Sequence, residues 1–321
     1  MIHYSSSDFD DIDAELDRYS DYEAQFNEHA RRKNKADHKP KKSQGTLLSS
    51  VAAETGGMEG GFKTTYVPGL FEQSWLPFSL KPFYEMGLIT DVLGRVKGGK
   101  EANVYRVEGS ANVGGGLLAA KVYRPQMFRN LKNDSAYREG RSTLNSEGHV
   151  IKQQATNRVI RALEKKSAFG REVAHGSWLM YEFGTMKMLH AAGAAVPKPY
   201  ASSANAILMS YCGDETLGAP SLAEISLDED QAHAAFDTVL NTVEIMLRHG
   251  LVHGDLSPYN VLYWDDAATV IDFPQVVEVD GNPNARDFLL RDLTRLCDYF
   301  ARCGDERDPH ALLEAMWLDR R

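Results

Sequence analysis

Apolar residues recur every three or four positions over residues 227–249, and this spacing predicts an amphipathic helix. Ser226, followed three residues later by Glu229, has the pattern of a capping box at the start of that helix. Gly250 is a typical helix stop, because glycine adopts the left-handed backbone conformation without a steric cost. The pattern therefore places a long helix directly before the polar run at residues 253–260.

Two short apolar segments follow, at residues 261–264 and 269–271, and a polar turn of two aspartates lies between them. Short apolar runs on either side of such a turn predict a β-hairpin. The open ends of this hairpin carry Asn260 and Asp272. Because antiparallel pairing brings those ends close together, we expect the two side chains to be neighbours.

The loop at residues 253–260 adds a second carboxylate, that of Asp255, to the amide of Asn260 and the carboxylate of Asp272. Phosphoryl transfer needs a group that orients the attacking hydroxyl, and hard oxygen ligands that hold Mg²⁺ against a triphosphate. Each of these residues is also an ordinary turn residue, and for any one of them alone that explanation would suffice. The ordered set favours a phosphate-transferring site.

A glycine-rich stretch at residues 94–105 lies upstream, between two strand-like segments. Glycines let main-chain N–H groups approach phosphate oxygens, so this stretch is a candidate phosphate loop. It is not a Walker A loop, because no Gly-Lys-Ser/Thr sequence opens a helix there. On its own, the stretch is also compatible with a plain glycine-rich hairpin.

Lys121 lies in the middle of an apolar strand predicted over residues 117–123. A lysine among apolar neighbours is costly unless it is paired, which favours contacts with phosphates and with a carboxylate. Glu182 is the candidate partner, because it is the only acidic residue in the helix predicted over residues 177–192. Alternation along the strand also allows Lys121 to face outward.

These segments together resemble the RIO family of atypical serine/threonine protein kinases, over roughly residues 87–300. Residues 284–292 also resemble the closing helix of that family. The resemblance implies an α+β, bilobal protein-kinase-like fold, with an antiparallel sheet in the N-terminal lobe and a mainly helical C-terminal lobe. It is carried by motifs in the family's order, which are Gly-Lys-Glu-Ala-Asn-Val-Tyr, Ala-Lys-Val-Tyr-Arg, Val-Pro-Lys-Pro, His-Gly-Asp-Leu-Ser-x-x-Asn and Ile-Asp-Phe-Pro-Gln.

The resemblance implies ATP and Mg²⁺ as cofactors and gives each candidate residue a role. Asp255 is then the catalytic aspartate, and Asn260 and Asp272 hold the metal. Lys121 contacts the phosphates, with Glu182 as its partner. Residues 209–213 become a hinge that holds the adenine edge, although a buried strand ending in a turn explains that stretch equally well. The implied ATP-binding residues are Gly98, Gly99, Lys100, Glu101, Ala102 and Asn103 in the phosphate loop, with Ser210 and Cys212 in the hinge.

Several departures from the family and from conventional protein kinases change this picture. Gly98 stands where the family often has a serine or threonine, so a hydroxyl contact to phosphate is not expected there. Ser257 stands where many protein kinases place a lysine on the transferred phosphate, so one cation is lost. No arginine precedes Asp255 and no long activation segment follows Asp272, which argues against activation by loop phosphorylation. The absence of repeated amphipathic helices before residue 87 favours a bacterial-type member without a winged helix.

The composition fits one bilobal domain in a reducing compartment. A chain of 321 residues with 43% hydrophobic content can bury a substantial core. No run is long enough to span a bilayer, and acids rather than an apolar signal core follow the first residues, so we expect a cytoplasmic protein without membrane association. The three cysteines have neither metal-site spacing nor the number that a disulfide scaffold needs.

The sequence predicts a charged, largely disordered tail over residues 1–70, an N-terminal lobe over 71–212 with a basic insertion at 125–176, and a C-terminal lobe over 213–321. The basic segments can attach to RNA phosphates, which suggests a ribosomal or RNA-associated partner. The neighbouring acidic run can equally neutralise the basic clusters of the tail, and the net charge of −9 argues against broad nucleic-acid affinity. A long insertion at the mouth of a cleft is more often a gate or a docking element than an inert loop.

We therefore expect an ATP-dependent, Mg²⁺-requiring RIO-type protein serine/threonine kinase with an unidentified protein substrate. A small-molecule kinase of the aminoglycoside or choline type is one alternative, because it shares the His-Gly-Asp…Asn loop. A nucleotide-regulated scaffold is the other, in which slow ATP turnover acts as a switch in ribosome or RNA-related assembly.

Overall fold

The computed structural model describes residues 62, 64–69, 72–73, 75–99, 102–123 and 168–319. The tail up to residue 61, most of the basic insertion, and Lys100 and Glu101 of the phosphate loop lie outside the described residues. Within these ranges, no helix combines the length and the apolar character needed to cross a membrane.

A five-stranded antiparallel sheet dominates the N-terminal lobe. The strand β3 is central in it, with Lys121 opposite Val104 on one neighbour and Ile207 on the other. Its apolar neighbours are buried, as expected of a short continuous apolar strand. The strands are β1 (Ile89–Gly98), β2 (Ala102–Gly109), β3 (Leu117–Tyr123), β4 (Pro199–Ser202) and β5 (Ala206–Ser210), in the order β1-β2-β3-β5-β4.

Two helices pack against this sheet, α1 (Leu76–Glu85) and α2 (Ala168–Ala191). α2 begins at Ala168 rather than at the predicted Ser177, and it carries Glu182 toward the sheet. Buried residues of α2 such as Leu189 join the core of the C-terminal lobe, so this helix links the two lobes.

The segment before α1 belongs to the packed lobe. Phe62 is buried in the same core cluster as residues of α1, and its ring centroid lies 4.6 Å from that of Tyr84. Trp75 packs edge-on against Tyr105 of β2, with 6.4 Å between the ring centroids. Packing of the N-terminal lobe therefore begins before residue 70, where the sequence places the end of the tail.

The C-terminal lobe is mainly helical, so the predicted α+β class with an antiparallel N-terminal sheet is confirmed. Its longest helix begins after Asp228, whose carboxylate accepts from the main chain of Gln231. The predicted capping box at Ser226 and Glu229 is therefore wrong by two residues. The elements are α3 (Glu229–Arg248), β6 (Leu251–Val252), β7 (Val261–Trp264), β8 (Ala267–Val270), β9 (Val277–Glu278), α4 (Ala285–Phe300) and α5 (Pro309–Asp319), with β6 paired to β9 and β7 to β8.

Candidate active site

The predicted hairpin is confirmed, and it brings Asn260 and Asp272 to one open end. β7 and β8 pair with Val261 opposite Val270, and the Ile271 amide donates to the Asn260 carbonyl at 2.9 Å. The two aspartates of the turn both have positive φ, which is typical of the type I′ turns that match the twist of a hairpin. The ladder thus continues to the residue before Asp272.

Hydrogen bonds within the loop fix the side chain of Asn260. Its amide nitrogen donates to the Asp255 carbonyl at 2.9 Å, and its main-chain N–H donates to the Ser257 carbonyl at 2.9 Å. With the nitrogen committed to the main chain, the amide oxygen is the atom that remains for a ligand. The loop therefore holds Asp255 and Asn260 in a fixed relation.

Lys121 joins both lobes through two carboxylates. Its ammonium lies 2.5 Å from Glu182 Oε1 and 2.5 Å from Asp272 Oδ1. Glu182 is 1% exposed, and its other oxygen accepts from the Tyr123 hydroxyl. Burial alone would lower the pKa of Lys121, but the two carboxylates outweigh it and hold that pKa well above its usual value. The lysine is therefore a charged, paired group that faces inward.

Asp272 combines a strained main chain with a stabilised charge. Its φ of 73° lies in the left-handed region, which is uncommon for residues other than glycine. Burial alone would raise the pKa of Asp272, but the Lys121 ammonium outweighs it and holds that pKa below its usual value. Such strain clusters at functional sites, where the surrounding structure must hold it in place.

Polar side chains support the main chain of the loop at residues 253–260. His253 Nε2 donates to the Ile271 carbonyl at 3.2 Å, and burial lowers the pKa of His253, so the ring is neutral at pH 7. The Gly254 amide donates to Asp292 Oδ2 at 2.9 Å, and the Arg291 guanidinium donates to the Gly254 carbonyl. Burial raises the pKa of Asp292 to about 7. α4 therefore supports the loop through both of these side chains.

The carboxylate of Asp255 is held from two sides. Arg295 of α4 donates to Oδ1 at 2.9 Å, and the Gln275 amide donates to Oδ2 at 3.3 Å. The Asp255 side chain is 38% exposed, so it remains accessible at the surface of the cleft. It can orient an incoming hydroxyl from this position.

The described part of the candidate phosphate loop contains a tight turn. The Gly99 amide donates to the Ala102 carbonyl at 2.9 Å, and a Cβ on Gly99 would lie 2.7 Å from that same oxygen. Glycine is therefore required at position 99 for steric reasons. Gly98 ends β1 and Asn103 lies opposite it in β2.

The side chain of Asn103 turns into the N-terminal lobe. Its amide nitrogen donates to Glu72 at 3.1 Å and to the Tyr105 hydroxyl oxygen at 3.0 Å. Tyr105 donates in turn to Glu72 Oε1 at 2.7 Å, and Tyr66 donates to Glu72 Oε2 at 2.7 Å. Arg95 of β1 lies 3.2 Å from the same carboxylate. A residue from the segment before α1 thus holds both strands of the phosphate-loop hairpin.

The stretch expected to form the hinge begins within the last residues of β5. The Ser210 amide donates to the Lys198 carbonyl at 2.8 Å, and the Cys212 carbonyl accepts from the Ala219 amide at 2.9 Å. Both residues therefore have one main-chain group committed to the protein.

Contacts of Asp255 and of the phosphate-loop hairpin include residues that the sequence reasoning missed. Arg295, Asp292 and Glu72 each act on residues more than thirty positions away, and no local spacing marks such pairs. Glu72 offered one signal, since it is the one acidic residue in the mostly aromatic and apolar sequence of residues 66–75. Arg295 offered none.

Comparisons with a family model and with individual proteins all match this chain to RIO proteins. A family model described as the RIO domain matches residues 103–312. The RIO-type serine/threonine-protein kinase Rio1 of Haloferax volcanii is 33% identical over 223 residues, which cover 69% of this chain and 67% of that protein. The serine/threonine-protein kinase RIO1 of Chaetomium thermophilum is 31% identical over 229 residues, covering 68% of this chain and 40% of that protein. The human RIO1 kinase is 27% identical over 217 residues, covering 67% of this chain and 34% of that protein. The match thus spans less than half of the two eukaryotic proteins.

Proposed function

Because this chain belongs to the RIO family of atypical serine/threonine kinases, we propose that its cleft uses ATP and Mg²⁺ to transfer a phosphoryl group to a protein hydroxyl. The class of enzyme is a phosphotransferase. The observation that carries the proposal is the Lys121 ammonium, whose side chain is 12% exposed and which bridges Glu182 and Asp272 across the two lobes. A lysine that is held this way is placed to contact triphosphate oxygens, as in protein kinases.

The donor set between the lobes fits Mg²⁺. This ion prefers oxygen ligands and binds through one or two protein groups plus phosphates and water. Asp272 offers an ionised carboxylate, and Asn260 offers the oxygen of an amide whose nitrogen is already committed. When bound, the ion would neutralise phosphate charge.

The remaining candidate residues have the roles that the family implies. Asp255 orients the acceptor hydroxyl and takes up its proton. Glu182 keeps Lys121 in place. In the phosphate loop, Gly98, Gly99, Lys100, Glu101, Ala102 and Asn103 cover the phosphates, with Asn103 acting through its main chain because its side chain faces Glu72. In the hinge, Ser210 and Cys212 hold the adenine edge, and Cys212 would do so through its N–H because its carbonyl bonds Ala219.

Replacement of Asp272 by asparagine tests this assignment. An amide keeps the shape of the side chain and tolerates the left-handed backbone, but it loses the charge that a dication needs. We expect Asp272→Asn to weaken binding of Mg²⁺·ATP at least tenfold more than binding of metal-free ATP, measured by calorimetric titration with and without Mg²⁺. Asp265→Asn is the matched control, since Asp265 also has positive φ and lies in the same hairpin. Equal losses with and without metal would remove Asp272 from the metal site.

An ATP-driven switch is the second candidate function. Residues 273–284 alone separate Asp272 from α4, so this part of the chain has no room for a long peptide-docking segment. Hydrolysis that changes the shape of an assembly partner needs no such platform. We therefore propose a role in ribosome or RNA-related assembly, through the basic segments that lie outside the described residues. Comparison of ATP hydrolysis with and without ribosomal subunits would test it, and unchanged hydrolysis would count against the switch.

The proposals about lineage and substrate rest on the sequence. The expected absence of a winged helix concerns the chain before residue 87, and residues 1–61 of it lie outside the described residues. A small-molecule substrate is less favoured, because the relatives that match are named as protein kinases.

A further inference from the structure

Arg295 of α4 forms an ion pair with Asp255, the proposed catalytic aspartate. Its guanidinium lies 2.9 Å from Asp255 Oδ1, and the two side chains are 40% and 38% exposed. One turn earlier on the same helix, Arg291 binds the Gly254 carbonyl and Asp292 binds the Gly254 amide. The helix is therefore fastened to the loop directly beside Asp255, which gives Arg295 a rigid support.

The guanidinium of Arg295 has more N–H donors than its contact with Asp255 uses. An arginine carries five N–H donors in a planar fork that matches carboxylates and phosphates. Among the residues that the structure describes, the carboxylate of Asp255 is the acceptor found for Arg295. A partly exposed fork of this kind can bind a phosphate oxygen while it keeps its contact to Asp255.

The acceptor side of the site lacks the cation that this chemistry usually has. Ser257, two residues after Asp255, stands where many protein kinases place a lysine on the transferred phosphate. Lys121 is assigned to the ATP phosphates from its place between Glu182 and Asp272, so it is not the cation paired with Asp255. Without a cation beside it, the Asp255 carboxylate would face a triphosphate whose negative charge only Lys121 and the metal ion would offset.

We propose that Arg295 replaces this lysine, binding the transferred phosphoryl group and the Asp255 carboxylate at the same time. This inference rests on the proposed function. In the reaction, the bond between the γ-phosphorus and the oxygen that bridges to ADP breaks, and a bond forms between the γ-phosphorus and the acceptor oxygen. The acceptor proton passes to Asp255 and then to water. Arg295 neutralises charge on the phosphoryl group as this group moves from the ADP oxygen to the acceptor oxygen.

Steady-state release of labelled phosphate from ATP by the full chain tests the proposal. We expect Arg295→Ala to lower kcat on the order of 10²-fold, the effect of one lost transition-state donor, and to raise KM for ATP about tenfold through the lost contact to the γ-phosphate. Ser257→Lys in the Arg295→Ala background should recover at least tenfold of that loss, because it returns a cation to the same place. Arg286→Ala is the control, since Arg286 lies on the same helix, pairs with Glu314 and is 44% exposed. It should retain the wild-type rate.

A merely structural role gives a different pattern. If Arg295 only holds Asp255 in place, Ser257→Lys will restore nothing, and that result overturns the proposal. So does an Arg295→Ala rate within twofold of wild type.

A binding measurement separates this inference from the proposed function. Arg295→Ala should weaken binding of a non-hydrolysable ATP analogue about tenfold relative to ADP, because only the former carries the γ-phosphate. An equal effect on both nucleotides would overturn the role of Arg295. If wild-type protein bound both nucleotides without any turnover, the proposed function would fail, and the binding difference would still decide on Arg295.

Discussion

Glu72→Ala should destabilise the protein by about 2–4 kcal/mol, although this residue lies far in sequence from the loop at residues 253–260. Its carboxylate accepts hydrogen bonds from Tyr105, Asn103 and Tyr66 at the base of the phosphate-loop hairpin. Replacement by alanine removes this acceptor and leaves a small cavity lined by donors that have lost their hydrogen-bond partner.

The magnitude follows from the burial of each donor. The Tyr105 hydroxyl belongs to a residue that is 0% exposed, and a buried donor without an acceptor costs about 1–3 kcal/mol. Asn103 keeps the Tyr105 oxygen as an acceptor, so its loss is smaller, about 1 kcal/mol. Arg95 is 48% exposed, and an ion pair at that exposure contributes roughly 0–1 kcal/mol. A chain of this size loses about 2–4 °C in Tm per kcal/mol, so Tm should fall by roughly 5–15 °C.

The pH dependence of this stability has a definite sign. Burial alone would raise the pKa of Glu72, but the hydrogen bonds from Tyr66 and Tyr105 outweigh it and hold that pKa below its ordinary value of 4.5. A carboxyl whose pKa is lower in the folded protein stabilises it fully at pH values above the pKa of the unfolded state. That stabilisation is lost as the pH falls through the pKa of the folded state. The difference between wild type and the alanine variant should therefore be complete at pH 7 and shrink below pH 4.5.

Thermal unfolding followed by circular dichroism measures both effects. Glu72→Gln is the matched variant, because its carbonyl still accepts from Tyr105, and it should lose less than half as much stability as alanine. Arg95→Ala should cost about 1 kcal/mol or less. The reasoning is refuted if Glu72→Ala melts within 2 °C of wild type, or if alanine and glutamine variants melt together.

Three further predictions concern the catalytic cleft and the domain boundary. Glu182→Gln removes the charge that holds Lys121 and should lower kcat for ATP turnover about 10²-fold, and unchanged turnover would refute that role. Because the pKa of Asp292 is raised to about 7 in the folded protein, its ionisation should cost wild-type stability as pH rises from 3.8 to about 7, and Tm of Asp292→Asn should lack that slope. Deletion of residues 1–61 should change Tm by about 2 °C or less, whereas deletion of 1–74 also removes Phe62 and should lower it by roughly 10 °C or more.

Elements with a strong local pattern could be predicted closely. The apolar strand around Lys121 spans residues 117–123 as expected, and the hairpin turns where two aspartates interrupt the apolar run. The start of α3 was harder, because Ser226 with Glu229 and Asp228 with Gln231 both have the spacing of a capping box. Only packing of the helix against the lobe decides between such equivalent signals.

Contacts around the cleft could likewise be predicted where one local element makes them, and could not where separate elements meet. Asn260 and Asp272 could be brought together from sequence, because one hairpin connects them. The pairs Arg295–Asp255 and Glu72–Tyr105 join separate elements, and no local period marks which side chains will meet. The catalytic and nucleotide-binding roles of the individual residues remain predictions.

The double ion pair of Lys121 bears on the choice of an inactive control. A Lys121→Met variant would be an attractive one, but Glu182 and Asp272 both lie 2.5 Å from the nitrogen that it removes. Two neighbouring carboxylates without a counter-ion repel each other, so one of them would take up a proton or the lobes would separate. Such a protein would be inactive and also altered in shape and pH response. On the proposed function, Asp255→Ala would remove the carboxylate that orients the acceptor, and it would disturb the lobes far less because this side chain is 38% exposed.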